Sequence, residues 1–236
     1  MSIVLILHGW GSKAENWSQV KKLLEREGYK VFAPDLPGFG KNPPLSRPWA
    51  IDDYVEWLND FCEKNNLSQF FLLGHSFGGA ISLKFSLKCP EKVKKMFLVA
   101  SSGIRRKNLK KKIFKKIANF SKFFSFFPFY PLFRKIFYKI IIKKSDYPYT
   151  EGIMKETYLK VINEDLSFLF SQVSVPTIII WGEKDDVLPV ENAYFMNQKI
   201  KNSNLIIIAG ANHDLERKVP EILTEKIKEF LKSDEK

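Results

Sequence analysis

The stretch FFLLGHSFGG, residues 70–79, decides the fold, because it joins a short apolar run to a glycine-rich turn and the start of a helix pattern. Residues 70–73 are apolar throughout, which is typical of a strand that is buried on both faces of a sheet. Ser76 lies in the turn, with a glycine two positions away on each side. Small neighbours of this kind allow a serine to occupy a tight strand-to-helix turn with its hydroxyl clear of the sheet.

Five further apolar runs lie along the chain, and amphipathic stretches separate them. We predict strands at 3–7, 30–33, 70–73, 96–100, 177–181 and 205–208. We predict helices at 17–27, 51–65, 79–87, 191–199 and 220–231. Continuous apolar strands that alternate with helices are typical of a parallel sheet covered by helices. The sequence therefore predicts an α/β fold of about six mostly parallel strands flanked by helices.

The segment after Ser101 interrupts this alternation, because about seventy residues show no strand pattern. Residues 104–144, here called the basic segment, contain 14 Lys or Arg, no acidic residue and nine of the 21 Phe. The remainder holds 24 basic and 26 acidic residues, so the basic segment accounts for the net charge of +12. Apolar residues of 113–127 share one helix face opposite lysines, and Pro128 is expected to end that helix. We predict that this segment is an inserted cap between two parts of the core.

Composition excludes several classes of protein. With 236 residues, 45% hydrophobic and 27% charged, the chain is neither disordered, nor collagen-like, nor a small disulfide scaffold. No apolar run approaches the ~20 residues that cross a bilayer, and the first residues lack the features of a signal peptide. Cys62 and Cys89 share no motif spacing and no metal-site spacing. We expect a reduced, cytoplasmic protein with no metal and no cofactor.

Serine becomes a strong nucleophile only when a base accepts its proton, and the chain has three histidines that could do so. His213 follows the last predicted strand, so it should lie at the same edge of the sheet as Ser76. His8 is expected to hold its own loop in place. His75 is adjacent to Ser76 in the chain and is expected to point away from it. His213 is therefore the candidate base.

A histidine base needs a carboxylate to hold its tautomer and to stabilise its protonated form. The stretch WGEKDDVLP, residues 181–189, offers candidates just after the fifth predicted strand. We choose Asp185 and keep Asp186 in reserve. Asp35, in PDLPGFG at 34–40, is instead expected to form a turn in which its side chain accepts hydrogen bonds from nearby backbone N–H groups.

The stretch HGWG, residues 8–11, ends the first predicted strand beside the serine turn. The backbone N–H groups of Trp10 and Phe77 could point to one place. Two such donors form an oxyanion hole, which stabilises the negative oxygen that develops when a nucleophile attacks a carbonyl group.

Taken in chain order, HGWG, DLPGFG, GHSFGG, WGEKDDVLP and GANHD resemble the motifs of the α/β-hydrolase family. The resemblance covers roughly two thirds of the chain, on both sides of the insertion. It implies that Ser76 is the nucleophile, Asp185 the acid and His213 the base, with the N–H groups of Trp10 and Phe77 as the oxyanion hole. It also implies that residues 104–163 form a helical cap over the site, between two parts of the core, 1–103 and 164–236. HGWG with DLPGFG is most similar to the branch that includes pimeloyl-carrier-protein methyl ester esterases, general carboxylesterases and carbon–carbon bond hydrolases.

The expected activity is that of a serine esterase, which cleaves small-molecule carboxylic esters through an acyl-enzyme without a cofactor. Esters or thioesters of an acyl carrier protein, amides and carbon–carbon bonds stay open as substrates, because the same catalytic groups serve all of them. The basic segment could attract an acidic carrier protein or an anionic membrane surface. A non-enzymatic alternative is a membrane-surface or protein-docking module with an inactive site. Nucleic acid is not an expected partner, because the lysines alternate with Phe in helical register.

Overall fold

The computed structural model describes residues 1–105 and 151–232, and six strands in these ranges form one parallel sheet. The strands are β1 (Ile3–Leu7), β2 (Lys30–Phe32), β3 (Phe70–His75), β4 (Val93–Val99), β5 (Thr177–Gly182) and β6 (Ser203–Ile208). Their order across the sheet is β2-β1-β3-β4-β5-β6, and all five neighbouring pairs are parallel. The predicted fold class is confirmed.

The described helices lie between the strands and after the last one, as the alternating pattern predicts. They are α1 (Ser18–Arg26), α2 (Ile51–Lys64), α3 (Phe77–Lys88), α4 (Gly152–Asn163), α5 (Glu191–Lys199), α6 (Leu215–Lys218) and α7 (Pro220–Leu231). Short 3-10 helices cover Ala14–Trp17, Pro90–Lys92 and Ser167–Gln172. The first predicted helix, 17–27, is therefore a 3-10 turn followed by an α-helix, and the short helix α6 was not predicted.

Strand β3 and helix α3 come closer together than the sequence pattern indicates. Gly74 and His75 pair in register with Leu98 and Val99 of β4, so the strand continues two residues beyond its apolar run. Helix α3 begins at Phe77, two residues before the predicted start. Only one residue, Ser76, is left between strand and helix.

The core lies on both faces of the four central strands, whose apolar side chains are almost entirely buried. The edge strand β6 differs, because residues 205–207 are only partly buried and Asn204 is exposed. An edge strand is covered less completely than a central one, so the expectation of complete burial is wrong for β6.

The order of the strands indicates at which edge of the sheet a ligand would bind. Strand β1 has β2 on one side and β3 on the other, so the direction of the chain across the sheet reverses between β1 and β3. In open parallel sheets, ligands bind outside the carboxyl ends of the strands at such a reversal. The loops after β1, β3, β5 and β6 all start at this edge, and they contain His8, Ser76, Asp185 and His213.

Most of the predicted cap, including the basic helix at 113–127, lies outside the described residues, so the boundaries at 104–163 stay a prediction. Helix α4 falls inside those boundaries at their carboxyl-terminal end. Among residues 1–105 and 151–232, the helices are too short or too polar to cross a membrane.

Candidate active site

Ser76 occupies a strained backbone position between β3 and α3. Its φ of 50° and ψ of −114° lie in a region that residues other than glycine rarely adopt, at a cost of about 1–3 kcal/mol. Hydrogen bonds hold the turn: the Ser76 N–H donates to the Val99 carbonyl at 3.0 Å, and the Ser76 carbonyl accepts the Ser102 N–H at 2.9 Å and its hydroxyl at 3.1 Å. The surrounding sheet therefore imposes the geometry that exposes this hydroxyl.

The glycines that flank Ser76 are required by space. A Cβ atom on Gly78 would lie 2.2 Å from the Leu7 carbonyl oxygen, and one on Gly74 would lie 2.4 Å from the Gly78 carbonyl oxygen. Both distances are far below van der Waals contact. The two glycines thus allow helix α3 to start directly against the ends of β1 and β3.

His213 and Asp185 form a hydrogen-bonded pair, as predicted. The His213 Nδ1–H donates to Asp185 Oδ2 at 2.8 Å, and the Asp185 side chain is fully buried. The other carboxylate oxygen, Oδ1, accepts the N–H groups of Val187 at 2.9 Å and Leu188 at 2.7 Å. These bonds fix the carboxylate and leave His213 Nε2 as the ring atom that can accept a proton. Asp186, the reserve candidate, is exposed, and the imidazole is bonded to Asp185 instead.

The His213 loop packs against the end of β3, next to Ser76. The ring centroids of His75 and His213 are 4.9 Å apart, and His75 Nε2 is 3.0 Å from the His213 carbonyl oxygen. Within the described ranges, the Ser76 hydroxyl makes no hydrogen bond with the His213 ring. Catalytic hydrogen bonds are often long before substrate binds, so the two groups remain candidates for one reaction.

The loop after β1 runs beside Ser76. A Cβ atom on Gly9 would lie 3.2 Å from the Ser76 Cβ, and Trp10, Ser76 and Phe77 line one cavity. Phe77 is the first residue of α3, so its N–H has no acceptor within the helix. In the part of the chain that the structure describes, neither this N–H nor that of Trp10 donates a hydrogen bond. Both donors are therefore available to a ligand.

The cavity beside Ser76 has a volume of about 170 Å³ and a mainly apolar lining. Its apolar and aromatic lining residues are Trp10, Ile51, Phe77, Ala80, Ile104, Tyr158, Val161, Ile162, Val187 and Leu188. The Trp10 ring packs against Tyr158 of α4 at 5.1 Å between centroids. No group of three metal-binding side chains lies anywhere in 1–105 or 151–232. The described lining thus favours an apolar ligand group.

Comparison with known proteins identifies the family. Residues 2–129, more than half of the chain, match the family model for the alpha/beta hydrolase fold. The chain belongs to the α/β-hydrolase family.

The proteins to which the chain is similar are named for different activities. The chain is 25% identical over 227 residues to Lipase 1 of Psychrobacter immobilis, covering 89% of this chain and 70% of the lipase. It is also similar to the structure of an esterase from Exiguobacterium antarcticum, with a TM-score of 0.75, 22% identity and coverage of 99% and 92% of the two chains. A meta-cleavage product hydrolase from Pseudomonas fluorescens gives a TM-score of 0.72 at 18% identity, covering 98% and 90%. The last two comparisons show the shared fold alone.

Two polar residues of this α/β hydrolase have the structural roles that the sequence predicts. His8 accepts the Leu36 N–H on Nε2 at 2.9 Å, and its Nδ1–H donates to the Gly9 carbonyl at 2.8 Å. Burial lowers the pKa of His8, so the ring stays neutral and holds the loop. Asp35 accepts the N–H groups of Ala14 at 2.7 Å and Lys41 at 2.9 Å, as expected of a turn-forming residue.

A second buried pair in the α/β hydrolase was not predicted. His75 and Glu216 are 3% and 2% exposed, and His75 Nε2 lies 3.9 Å from Glu216 Oε2. Burial lowers the pKa of His75 to about 3 and raises the pKa of Glu216 to about 7. The sequence contains only a weak signal for Glu216, namely its position three residues after His213. His75 itself bonds to the His213 backbone and not to Ser76, in agreement with the expectation that it points away.

Proposed function

We propose that this α/β hydrolase is a serine hydrolase that cleaves carboxylic esters through an acyl-enzyme. The observation that carries the proposal is a serine in a strained strand-to-helix turn, together with a histidine that is hydrogen-bonded to a buried carboxylate and lies against the end of the same strand. The similarity to Lipase 1 of Psychrobacter immobilis also supports ester hydrolysis.

The proposed acylation step uses Ser76, His213 and Asp185 together with two backbone N–H groups. His213 Nε2 accepts the Ser76 proton as the hydroxyl oxygen attacks the ester carbonyl, and Asp185 stabilises the protonated ring. The N–H groups of Trp10 and Phe77 stabilise the oxyanion of the tetrahedral intermediate, and the N-terminus of α3 adds its positive dipole end. The C–O bond of the ester then breaks, His213 gives its proton to the departing alcohol, and the acyl group stays on Ser76.

Deacylation repeats these steps with water. His213 accepts a proton from a water molecule as the oxygen of that water attacks the acyl-enzyme. The same two N–H groups stabilise the new oxyanion. The bond to Ser76 Oγ breaks, the proton returns to that oxygen and the carboxylic acid leaves.

The cavity supports an apolar substrate group. Tyr158, Val161 and Ile162 of α4 line the cavity of about 170 Å³ together with Trp10 and Phe77. Apolar walls favour an acyl chain over a charged or sugar-like group, because they offer few polar partners. We therefore expect the rate with p-nitrophenyl esters to depend strongly on acyl chain length.

The basic segment extends the proposal to an anionic partner, either an acidic acyl carrier protein or an anionic membrane surface. Its 14 Lys or Arg without an acidic residue are the support, and residues 106–144 lie outside the described part of the structure. Salt screens such attraction over about 8–10 Å at physiological ionic strength. Activity on a carrier-linked or vesicle-bound ester should then fall as salt rises, whereas activity on a free ester should change little.

The direct test compares Ser76→Ala with a matched serine variant. Ser76→Ala should reduce the turnover of a short-chain p-nitrophenyl ester by at least about 10³-fold, because the acyl-enzyme cannot form. Ser86→Ala removes a buried hydroxyl from the far end of α3, where it bonds to the Leu83 carbonyl, and should leave turnover unchanged. Thermal unfolding shows whether both variants are folded. Turnover by folded Ser76→Ala at the wild-type rate would refute the proposal.

A further inference from the structure

A buried polar cluster lies next to His213, apart from the proposed catalytic groups. It consists of His75 at the end of β3, Glu216 in α6 and Trp17 before α1. Within the described residues, His75 Nδ1, Glu216 Oε2 and Trp17 Nε1 are buried and make no hydrogen bond. Buried polar atoms without partners are rare in folded proteins, and each calls for an explanation.

Among residues 1–105 and 151–232, the His75 ring makes one hydrogen bond, to the His213 backbone. His75 Nε2 lies 3.0 Å from the His213 carbonyl oxygen, and a carbonyl oxygen can only accept. The ring must therefore carry a proton on Nε2. His75 is neutral because burial disfavours the imidazolium, so its Nδ1 is then a bare lone pair, consistent with the absence of a partner at that atom.

Glu216 faces the same ring nitrogen. Its Oε2 lies 3.9 Å from His75 Nε2, and its helix α6 begins two residues after His213. An oxygen lone pair beside Nε2 favours the tautomer with a proton there, because two facing lone pairs would repel each other. The other charged groups near the pair are Asp214 and Arg217 on the same stretch of chain and Asp185 in the loop after β5.

The contact matters because Asp185 constrains only one atom of the His213 side chain. The hydrogen bond at Nδ1 sets the tautomer of His213, but the place of the ring also depends on where its backbone lies. The bond from His75 fixes that backbone against the strand that ends just before Ser76. A displacement of about 1 Å in a catalytic group can reduce a rate by about 10²-fold.

We propose that His75 and Glu216 are positioning residues, which hold the His213 backbone where its imidazole can reach the Ser76 hydroxyl. His75 makes the hydrogen bond, and Glu216 keeps the proton of His75 on the nitrogen that makes it. This inference rests on the proposed function, since it assigns His213 as the base.

The first test replaces His75 with a residue that can restore the bond and with one that cannot. Gln places an amide N–H near the position of Nε2, whereas Met has similar length and no donor. His75→Met should lower kcat on a short-chain p-nitrophenyl ester about tenfold or more, with KM changed less than about twofold. His75→Gln should recover most of that loss. Ser86→Ala, which removes a buried hydroxyl away from the site, should keep the wild-type kcat.

Two kinetic outcomes would overturn the proposal. One is a wild-type kcat in folded His75→Met, and the other is an equal loss in His75→Met and His75→Gln. The corresponding pair at Glu216 is Glu216→Leu and Glu216→Gln. The loss of kcat should again be larger in Glu216→Leu, because Leu lacks the side-chain oxygen that Gln keeps. A kcat that falls only in proportion to the folded fraction would indicate a purely structural role.

A measurement on the unaltered chain does not depend on the folding of any variant. Nitrogen-15 chemical shifts of the histidine rings report which nitrogen carries the proton. His75 should be protonated on Nε2 at pH 6 to 8, and a proton on Nδ1 would overturn the proposal. Failure of the proposed function is a separate result, since it would appear as a wild-type protein without ester turnover whatever the tautomer of His75.

Discussion

Two aspartates at the same edge of the sheet show how a loop makes one carboxylate structural and the other available for chemistry. Asp35 follows β2, and each of its oxygens accepts one backbone N–H, from Ala14 and from Lys41. Asp185 follows β5, and both backbone N–H groups bond to one oxygen, which leaves Oδ2 for His213. The difference lies in whether the loop leaves one carboxylate oxygen free, and not in the residue type or its place after a strand.

The largest expected effect comes from removing the negative charge at each aspartate in turn. Asp185→Asn should lower kcat by about 10³–10⁴-fold, because an amide facing Nδ1 favours the wrong tautomer of His213. Asp35→Asn should leave kcat within about threefold but lower the free energy of unfolding by about 1–2 kcal/mol, since one charged acceptor is weakened. Ester kinetics and urea unfolding on the same preparations measure both effects. A similar kcat loss in both variants would remove the distinction between the two loops.

The sequence was sufficient to predict these loops, but not all of the residues that pack against them. Five short motifs in chain order predicted the sheet edge at which Ser76, Asp185 and His213 lie, and the contact between Asp185 and His213 is present. Their catalytic roles stay a prediction, because a contact is not an activity. Asp35 was correctly predicted as a turn residue, since its flanking Pro and Gly residues already specify a turn.

What the sequence could not supply depends on long-range packing. Glu216 becomes buried beside His75 only after β3 and the chain after β6 meet, and the two residues are far apart in sequence. The contribution of Tyr158 to the cavity likewise depends on how α4 lies across Trp10. Neither residue belongs to a motif, so no local pattern distinguishes it from an ordinary helix residue. The predicted strand 70–73 ends two residues too early, because Gly74 and His75 belong to β3 through their pairing with β4 and not through hydrophobicity.

A smaller effect is expected from adding a methyl group to each loop. A Cβ on Gly182 would lie 2.4 Å from the Asn212 carbonyl oxygen, and one on Gly40 would lie 2.2 Å from Asp35 Cγ. Gly182→Ala should displace the loop before His213 and lower kcat about 10-fold to 100-fold. Gly40→Ala should mainly lower the melting temperature, because it displaces a structural carboxylate. The reverse pattern, with the larger kcat loss in Gly40→Ala, would contradict the roles assigned to the loops.

The smallest expected effect concerns the dependence of stability on pH, to which the buried pair of His75 and Glu216 contributes. The pKa of His75 is lowered from 6.5 to about 3, so its contribution to stability decreases as pH falls below 6.5, where the unfolded chain binds a proton that the folded protein does not. The pKa of Glu216 is raised from 4.5 to about 7, so its contribution decreases as pH rises from 4.5 to 7. From pH 4.5 to 6.5 the two slopes oppose each other, and this pair should add little net pH dependence.

Single substitutions should uncover each slope. Over pH 4.5 to 6.5, relative to the wild type, Glu216→Gln should become more stable as pH rises and His75→Gln less stable, each by up to about 2–3 kcal/mol at 1.36 kcal/mol per pH unit. Urea unfolding at several pH values measures the slopes, and Asp35→Asn serves as a control that leaves this pair intact. Parallel curves for the wild type and both variants would show that His75 and Glu216 do not have these opposite shifts.

The most direct test of the central claim is labelling with a serine-directed fluorophosphonate, followed by mass spectrometry of the intact chain and of its peptides. If Asp185 and His213 activate Ser76, the wild type gains one phosphonyl group on the peptide that contains Ser76. Ser76→Ala should gain none, and Asp185→Asn should react much more slowly. A wild-type chain that takes up no label, or label that persists in Ser76→Ala, would contradict the account.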